Sequence, residues 1–427
     1  MKLTIHRGSK EIGGSCIELT SGSSTILLDF GMPLVDSDKN PFDSDIVKKA
    51  SFEQLVTDGI LPNLQGFYKG TEPQYEAVLL SHPHQDHYGL LSFVNPQIPI
   101  YLSQGCKELI EISHFFGQTD CALTNYKVIE MWNKFEIGSF SVTPYLVDHS
   151  GFDAVAYLIE ADGKRLFYSG DFRGHGRKSI LFDRMIDKPL KDIDYLLLEG
   201  SMIGRDSAAV GTEENIENEL FEQFKGSGGL FFIACSSQNI DRIVSIFRAC
   251  IRSNRIFVID PYTALILDRL KKVSSNLPQF DWGENIRIFF VPNSYTQKMA
   301  DDGVLFKFKS AKIAYDEMQK SRNRLVIKDT FLTRKIFAKR KELFNTKLIY
   351  SMWDGYLENV EQFWKDNNVP IIKIHCSGHA YISELQAFVK AIKPKVVIPN
   401  HTFYPEKFAS LFGNNVMMLK DGQSIEL

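Results

Sequence analysis

Nine residues constrain this chain more than any others: Ser81-His82-Pro83-His84-Gln85-Asp86-His87-Tyr88-Gly89. They follow the apolar run Ala77-Val78-Leu79-Leu80, whose pattern is that of a buried strand. Pro83 and Gly89 punctuate the stretch, which makes it a turn at a strand end. Three imidazoles and one carboxylate fall between positions 82 and 87. His82 and His84 are two apart, so both can point to one side of an extended turn. Asp86 and His87 follow at once and can face a second point. Mixed nitrogen and oxygen ligands suit zinc and, less well, manganese or iron. One tetrahedral ion cannot easily use all four side chains of so short a loop. The spacing therefore predicts two adjacent metals.

The pattern His-x-His-x-Asp-His after an apolar strand resembles the second motif of the metallo-β-lactamase fold. That resemblance implies a four-layer αββα sandwich with two metals at its rim. Other stretches match in order. Thr25-Ile26-Leu27-Leu28-Asp29 is a strand closed by a carboxylate, which needs partners when buried. It resembles the first motif, whose Asp orders the metal loop from behind, and this implies that role for Asp29. Phe140 to Leu146 reads as a strand, followed by Val147-Asp148-His149; His149 is similar to the third-motif ligand. Ala156 to Ile159 and Leu166 to Tyr168 flank a turn and make a hairpin that ends in Ser169-Gly170-Asp171. This resembles the fourth motif, whose Asp bridges the two metals. His114 reads as a packed or surface residue of a helix, and His175 as a solvent-exposed loop residue.

Tyr195-Leu196-Leu197-Leu198-Glu199 is a further apolar strand ending in an acid. It is similar to the acidic motif that opens the β-CASP branch, the nucleases of this fold, and that branch inserts a second α/β domain here. The sequence then changes accordingly. Residues 228–234 and 255–260 read as strands around an amphipathic helix over 239–252, a βαβ unit that implies a parallel sheet. No Gly-x-Gly-x-x-Gly accompanies it, so no dinucleotide is expected. From Lys307 to Lys347 there are thirteen Lys or Arg against four Asp or Glu, a segment of +9 in a chain of net charge −3. Two readings stand: a phosphate-binding face interleaved with aromatics, or a solvated helix face.

The C-terminal part reads as a return to the first domain. A strand over 371–376 leads into Ser377-Gly378-His379-Ala380, then a helix, then a strand ending in Pro399-Asn400-His401. These stretches resemble the last two β-CASP motifs, as found in ribonuclease J and the polyadenylation cleavage factor. The expected domains are residues 1–203 and 351–427 for the metallo-β-lactamase part and 204–350 for the β-CASP insertion. The resemblance implies one metal on His82, His84 and His149, another on Asp86, His87 and His401, and Asp171 between them. It implies His379 as proton or hydrogen-bond donor to the phosphoryl group, oriented by Glu199, with Asp86 serving catalysis as well as metal binding. Ser377 and Gly378 would hold a neighbouring phosphate. His375 matches no motif and reads as structural.

The implied activity is a two-metal phosphodiesterase acting on RNA, 5′-exonucleolytic, endonucleolytic or both, with two zinc ions and manganese as the alternative. His401 favours RNA over DNA, because DNA-directed members of the branch usually carry an apolar residue at that motif. The alternatives are a DNA-directed nuclease, a small-molecule hydrolase of the same fold, against which the βαβ insertion and Ser-Gly-His argue, and an inactive scaffold of a processing complex, against which the seven intact metal positions argue. The partners expected are an RNA substrate and a homo-oligomer or processing complex. The N-terminus lacks the apolar core of a signal peptide and no run is long enough to span a bilayer, so no membrane partner is expected. Six scattered cysteines without Cys-x-x-Cys point to reduced thiols in the cytoplasm rather than to disulfides or a structural zinc.

Overall fold

The computed structural model describes residues 1–36, 40–205, 211–226 and 228–427. It divides into two compact units, Met1–Ala208 with Gly378–Leu427, and Ala209–Ser377. Strands are numbered along the chain.

The first unit holds two sheets. One comprises β1 (Lys2–Arg7), β2 (Cys16–Ser21), β3 (Ser24–Leu28), β4 (Ala77–Leu79), β5 (Ile100–Leu102), β6 (Tyr126–Val128) and the last strand, β19 (Gln423–Glu426). Its order is β19-β1-β2-β3-β4-β5-β6. The other comprises β7 (Phe135–Ile137), β8 (Phe140–Leu146), β9 (Val155–Ala161), β10 (Lys164–Tyr168), β11 (Tyr195–Glu199) and β18 (Val396–Asn400), in the order β18-β11-β10-β9-β8-β7.

Alternation along these strands gives each sheet two apolar faces. Leu3, Ile5, Leu19 and Leu28 of the first sheet share one buried core with Phe140, Tyr157, Leu166 and Leu197 of the second. The sheets therefore pack face to face. The opposite face of the first sheet, with Leu27, Val78 and Leu102, buries Leu55 of helix Phe52–Thr57 and Ile110 of helix Gln104–Phe115. The outer face of the second, with Ala156, Phe167 and Leu198, buries Leu385 and Phe388 of helix Ile382–Ile392. Four layers result, αββα, as the loop motif implied.

Strand direction gathers the motifs. β10, β11 and β18 are mutually parallel, so their carboxyl ends share one rim. β8 is antiparallel to β9, which is antiparallel to β10, so β8 ends on that rim too. In the first sheet β3 and β4 are parallel. Thus Asp29, the 81–89 loop, His149, Asp171, Glu199 and His401 all follow or close strands that end together. Gly31 is required where the chain passes the metal loop: a Cβ there would collide with the Asp86 backbone carbonyl.

The second unit is a six-stranded parallel sheet of β12 (Leu230–Ala234), β13 (Ile256–Ile259), β14 (Ile286–Ile288), β15 (Leu325–Lys328), β16 (Thr346–Tyr350) and β17 (Ile371–Lys373). The order is β14-β13-β15-β12-β16-β17. The helix predicted over 239–252 spans Ile240–Arg252, capped by Asn239, whose side chain accepts from the Arg242 N–H at 3.1 Å.

Two sequence expectations change here. The strand expected over 371–376 stops at Lys373, and it pairs with β16 of the insert rather than with the enclosing sheets. Residues 351–377 accordingly belong to the second compact unit, because an edge strand parallel to β16 can only be reached through a crossover from that sheet.

The basic segment also resolves into parts. Lys328 pairs with Asp260 at 3.0 Å, and Arg334 grips Asp329 with two hydrogen bonds of 2.9 and 2.5 Å. Arg322 donates to the Phe344 carbonyl and Thr346 Oγ1, Arg324 to Asn254, and Lys307 to Asp268. These five bases tie the insert together and do not form a free phosphate-binding face.

Candidate metal centre

The 81–89 loop leaves β4 extended and turns into a single helical turn, Gln85–Tyr88, with His84 at its N-cap in extended conformation. That change of backbone divides the loop's ligands. His82 and His84 project from the extended part, and Asp86 and His87 from the turn.

Three ring nitrogens converge on one side. His82 Nε2 lies 3.1 Å from His84 Nδ1, and His149 Nε2 lies 3.3 Å from the same atom. On the other side His401 Nε2 lies 3.2 Å from Asp86 Oδ2, and His87 Nε2 lies 3.8 Å from that oxygen. Asp171 stands between the groups. Its Oδ2 is 3.3 Å from His87 Nε2 and 3.7 Å from His82 Nε2, and its Oδ1 is 3.4 Å from His401 Nδ1. His82, His84 and His149 form one cluster of ligand atoms, and His82, Asp86 and His87 another. Asp171, Glu199, His379 and His401 form a third.

The donor set fits divalent cations. Both Asp171 oxygens, His87 Nε2 and His149 Nδ1 are buried and accept or donate no hydrogen bond. A fully buried carboxylate without a hydrogen bond is costly unless a cation completes it. His82 Nε2 and His149 Nε2 both face the single His84 Nδ1, so three ring nitrogens converge on a point where one metal could take a lone pair from each. Burial pushes the His82 and His149 pKa values well down and that of His84 to about 4, so all three offer neutral lone pairs. Burial alone would raise Asp171, but the imidazoles of His401, His87 and His379 outweigh it and hold the carboxyl well below its usual range.

Supporting residues fix the ligands. Asp29 is fully buried, with a left-handed backbone (φ 57°). Its Oδ1 accepts from the Ser81 N–H at 2.7 Å, and its Oδ2 accepts from Tyr168 OH at 2.6 Å and lies 2.7 Å from His87 Nδ1. The other ring nitrogen of His87 is thereby turned toward Asp171. Ser201 Oγ lies 2.8 Å from His401 Nδ1, so it orients that ring. His379 Nδ1 lies 3.5 Å from both Glu199 Oε1 and Asp171 Oδ2. Glu199 is itself pinned by the Ser201 N–H at 2.9 Å and the Ala380 N–H at 3.4 Å. Burial works against a charged His379, but Glu199 and Asp171 outweigh it and raise the pKa.

Every ligand expected from the sequence lies in this centre. Of the expected phosphate-holding pair, Gly378 sits against Ser150 near His149, and Ser377 closes the second unit. His114, as expected, is a surface residue of its helix, with Nδ1 3.2 Å from the Thr119 carbonyl. His375 meets the Arg242 guanidinium at 3.2 Å within the insert. His175 departs from expectation. It is only 4% exposed, with Nδ1 3.0 Å from Glu384 and its ring stacked on Tyr381. The loop that carries it folds onto the start of helix Ile382–Ile392, a contact that local sequence does not encode. Tyr168 and Ser201 are the positioning residues that sequence reasoning missed. The signal was present: each is a polar group within three residues of an expected ligand or acid at the end of an apolar strand.

Comparison with known proteins agrees with this geometry. Residues 58–218 match the family described as "Beta-lactamase superfamily domain", and residues 368–418 match "Zn-dependent metallo-hydrolase RNA specificity domain". The first match contains the 81–89 loop, His149, Asp171 and Glu199, and the second contains His379 and His401. Among curated relatives it is similar to ribonuclease J of Sinorhizobium meliloti, 23% identical over 81% of this chain and 60% of the relative. It is similar to ribonuclease J of Mycoplasma pneumoniae, 20% identical over 100% of this chain and 73% of the relative. An RNase J-like protein of Methanocaldococcus jannaschii is 24% identical over 61% of this chain and 58% of that protein. The chain therefore spans about 60% of the length of several relatives it matches. A crystal structure described as a protein of unknown function from Enterococcus faecalis V583 shares the fold with a TM-score of 0.78, at 22% identity, covering 100% of this chain and 99% of that one.

Proposed function

We propose that this chain is a ribonuclease that hydrolyses phosphodiester bonds of single-stranded RNA. The observation that carries the reading is Asp171: a buried carboxylate, without a hydrogen bond, set between two groups of imidazole and carboxylate ligands. His82, His84 and His149 would hold one zinc, Asp86, His87 and His401 the other, and Asp171 both. When bound, two such ions supply Lewis acidity at the attacked phosphate and a nucleophilic water at neutral pH. RNA as the substrate is supported by the RNA specificity match and by the ribonuclease J relatives.

The remaining chemistry belongs to the chain. His379, with its raised pKa, is a hydrogen-bond or proton donor to the phosphoryl oxygen. Glu199 holds that imidazole, and the Ser201 and Ala380 N–H groups hold Glu199. Gly378 beside His149 offers a backbone N–H for a neighbouring phosphate. Residues 1–203 and 378–427 carry the metal centre in this reading, and the β-CASP insertion runs from about residue 204 to Ser377. Action in the cytoplasm is supported by the six cysteines, all buried and none in a disulfide. No helix among the described residues is long and apolar enough to cross a membrane. A homo-oligomer or a processing complex is the assembly proposed.

The test uses 5′-labelled single-stranded RNA and matched DNA, incubated with the zinc-loaded chain and with Asp86→Ala/His87→Ala. RNA cleavage lost in the variant is expected, and the product ladder separates 5′-exonucleolytic from endonucleolytic action. Cleavage of neither polymer, with turnover of a simple ester, would favour the small-molecule hydrolase instead.

A further inference from the structure

His175 lies outside both ligand groups, yet it is buried and built into their support. It belongs to a short strap, Phe172-Arg173-Gly174-His175-Gly176, that leaves Asp171 directly. The strap is fastened on two sides. On the first, the Arg173 N–H donates to the Asp148 carbonyl at 2.7 Å and Arg173 Nε donates to Asp148 Oδ1 at 3.3 Å. Both of these side chains are fully buried, and Asp148 precedes His149 in the chain.

The second side is helix Ile382–Ile392. Phe172 packs on Phe388 with centroids 4.9 Å apart, and His175 meets Glu384 one turn earlier. Positions four apart share a helix face, so the strap seats along that face. Glycine lets it come so close: a Cβ at Gly174 would press on Glu384 Oε1 and the Phe182 ring. His175 Nδ1 lies 3.0 Å from each Glu384 oxygen. A carboxylate only accepts, so that nitrogen carries the proton of the contact. The His175 ring also stacks on Tyr381, with centroids 4.2 Å apart and planes 26° apart.

What His175 holds reaches the reacting groups. The helix begins at an N-cap Tyr381, and tyrosine is not among the residues that cap well. Glu384 fastens that start, because its Oε2 accepts from the Tyr381 N–H at 2.8 Å. Tyr381 follows Ala380, whose N–H donates to Glu199 Oε1, and Ala380 follows His379. His379 Nδ1 stands 3.5 Å from Glu199 and from Asp171, a long reach for a hydrogen bond, and its side chain is 21% exposed. The backbone over 379–381 thus shares in setting where that ring points. A small displacement of a reacting group is enough to slow a reaction severely.

We infer that His175 is a positioning residue for the reaction: it holds Glu384 and Tyr381, and through them sets the His379 ring against the phosphoryl group. The inference rests on the ribonuclease reading for the role of His379. It adds one strap that ties Asp171, the helix start and His379 together, so that the carboxylate and the donor keep a fixed spacing.

The test separates positioning from folding. Turnover of RNA and of bis(p-nitrophenyl) phosphate is measured for His175→Ala, His379→Ala and the double variant, with zinc content as the control for an intact centre. His175→Ala is expected to lower kcat about tenfold or more on both substrates, with KM and zinc content unchanged. In the His379→Ala background the same substitution should cost less than about twofold, because the residue it acts through is gone. His175→Asn, whose amide N–H stands near the place of Nδ1, should recover most of the rate. His175→Gln, whose amide lies beyond that place, should not. Both side chains fill most of the site, so this pair decides the matter if His175→Ala fails to fold. A further readout needs no turnover. The chain has ten histidines, and with carbon-13 in their rings the His379 signal is identified by its loss in His379→Ala. That signal should shift in His175→Gln and return in His175→Asn. Equal losses in the two backgrounds, equal rates for the asparagine and glutamine variants, or an unmoved His379 signal would overturn the inference. A wild-type chain that cuts no RNA would remove the ribonuclease reading, while the His379 signal would still decide whether His175 sets that ring.

Discussion

Two regions of this molecule bury charge, and they treat it in opposite ways. In the insert, Arg242 and Glu213 are fully buried and joined by two hydrogen bonds of 3.2 and 2.9 Å. The remaining Arg242 donors reach the Ser351 carbonyl, Ser351 Oγ and His375. Arg242 Nη2 also lies 3.4 Å from Cys376 Sγ, so the guanidinium and the carboxylate each have protein partners. In the metal centre Asp171 is equally buried, and no hydrogen bond reaches either oxygen. A low-dielectric interior penalises the second arrangement far more than the first. The difference teaches that burial of charge marks structure when the partners are internal. It marks function when the set remains open toward a cation.

That contrast can be broken at the metal centre first. Asp86→Ala/His87→Ala should lower RNA cleavage by at least about a thousandfold, since metal stabilisation of the reaction is worth several kcal/mol. Metal content by plasma mass spectrometry should fall with it. The insert network gives the converse outcome. Arg242→Ala removes the buried guanidinium that pairs with Glu213, so a loss of about 3–5 kcal/mol in urea unfolding is expected. Bound metal in the folded fraction should stay unchanged; loss of metal would mean that the two clusters are not separable.

A supporting residue sharpens the comparison further. Asp29→Asn keeps the size of the side chain but weakens its hold on His87 Nδ1. Zinc affinity, measured by chelator competition, should fall about 10- to 100-fold. The smallest effect concerns pH. Burial favours neutral Asp260, but Lys328 outweighs it and depresses the carboxyl pKa. Its contribution to stability is present above the ordinary carboxylate range and lost as pH falls through the depressed value. For Lys328, burial works against the charge, but Asp260 outweighs it and raises the pKa. That contribution is present below the ordinary lysine range and is lost as pH rises through the raised value. Asp260→Asn should therefore flatten the acid side of the stability profile, read from melting temperatures between about pH 5 and pH 2.

Much of the centre was legible because its ligands lie in short local patterns. His82, His84, Asp86 and His87 share one loop, and Asp29, Asp171, Glu199 and His401 each close or follow an apolar strand. Strand direction then brings them together. What the sequence did not disclose depends on packing between distant segments. His175 is buried only because its loop meets Glu384 and Tyr381, more than two hundred positions away. β17 joins the insert through pairing with β16, and hydrophobic runs carry no label for the sheet they enter. The basic run was open to two readings for the same reason. Lys328, Arg334 and Lys307 look alike in sequence, and only the fold supplies Asp260, Asp329 and Asp268 as their partners. Tyr168 and Ser201 went unread because a hydroxyl beside a motif gains meaning only when its neighbour across the site is known.

The most direct measurement is a titration of the chelated chain with zinc, following bound metal and cleavage of single-stranded RNA together. Two zinc ions per chain are expected, with cleavage appearing as the second is filled and absent throughout in Asp86→Ala/His87→Ala. Two bound ions with no cleavage of RNA, or cleavage that persists without metal, would contradict that expectation.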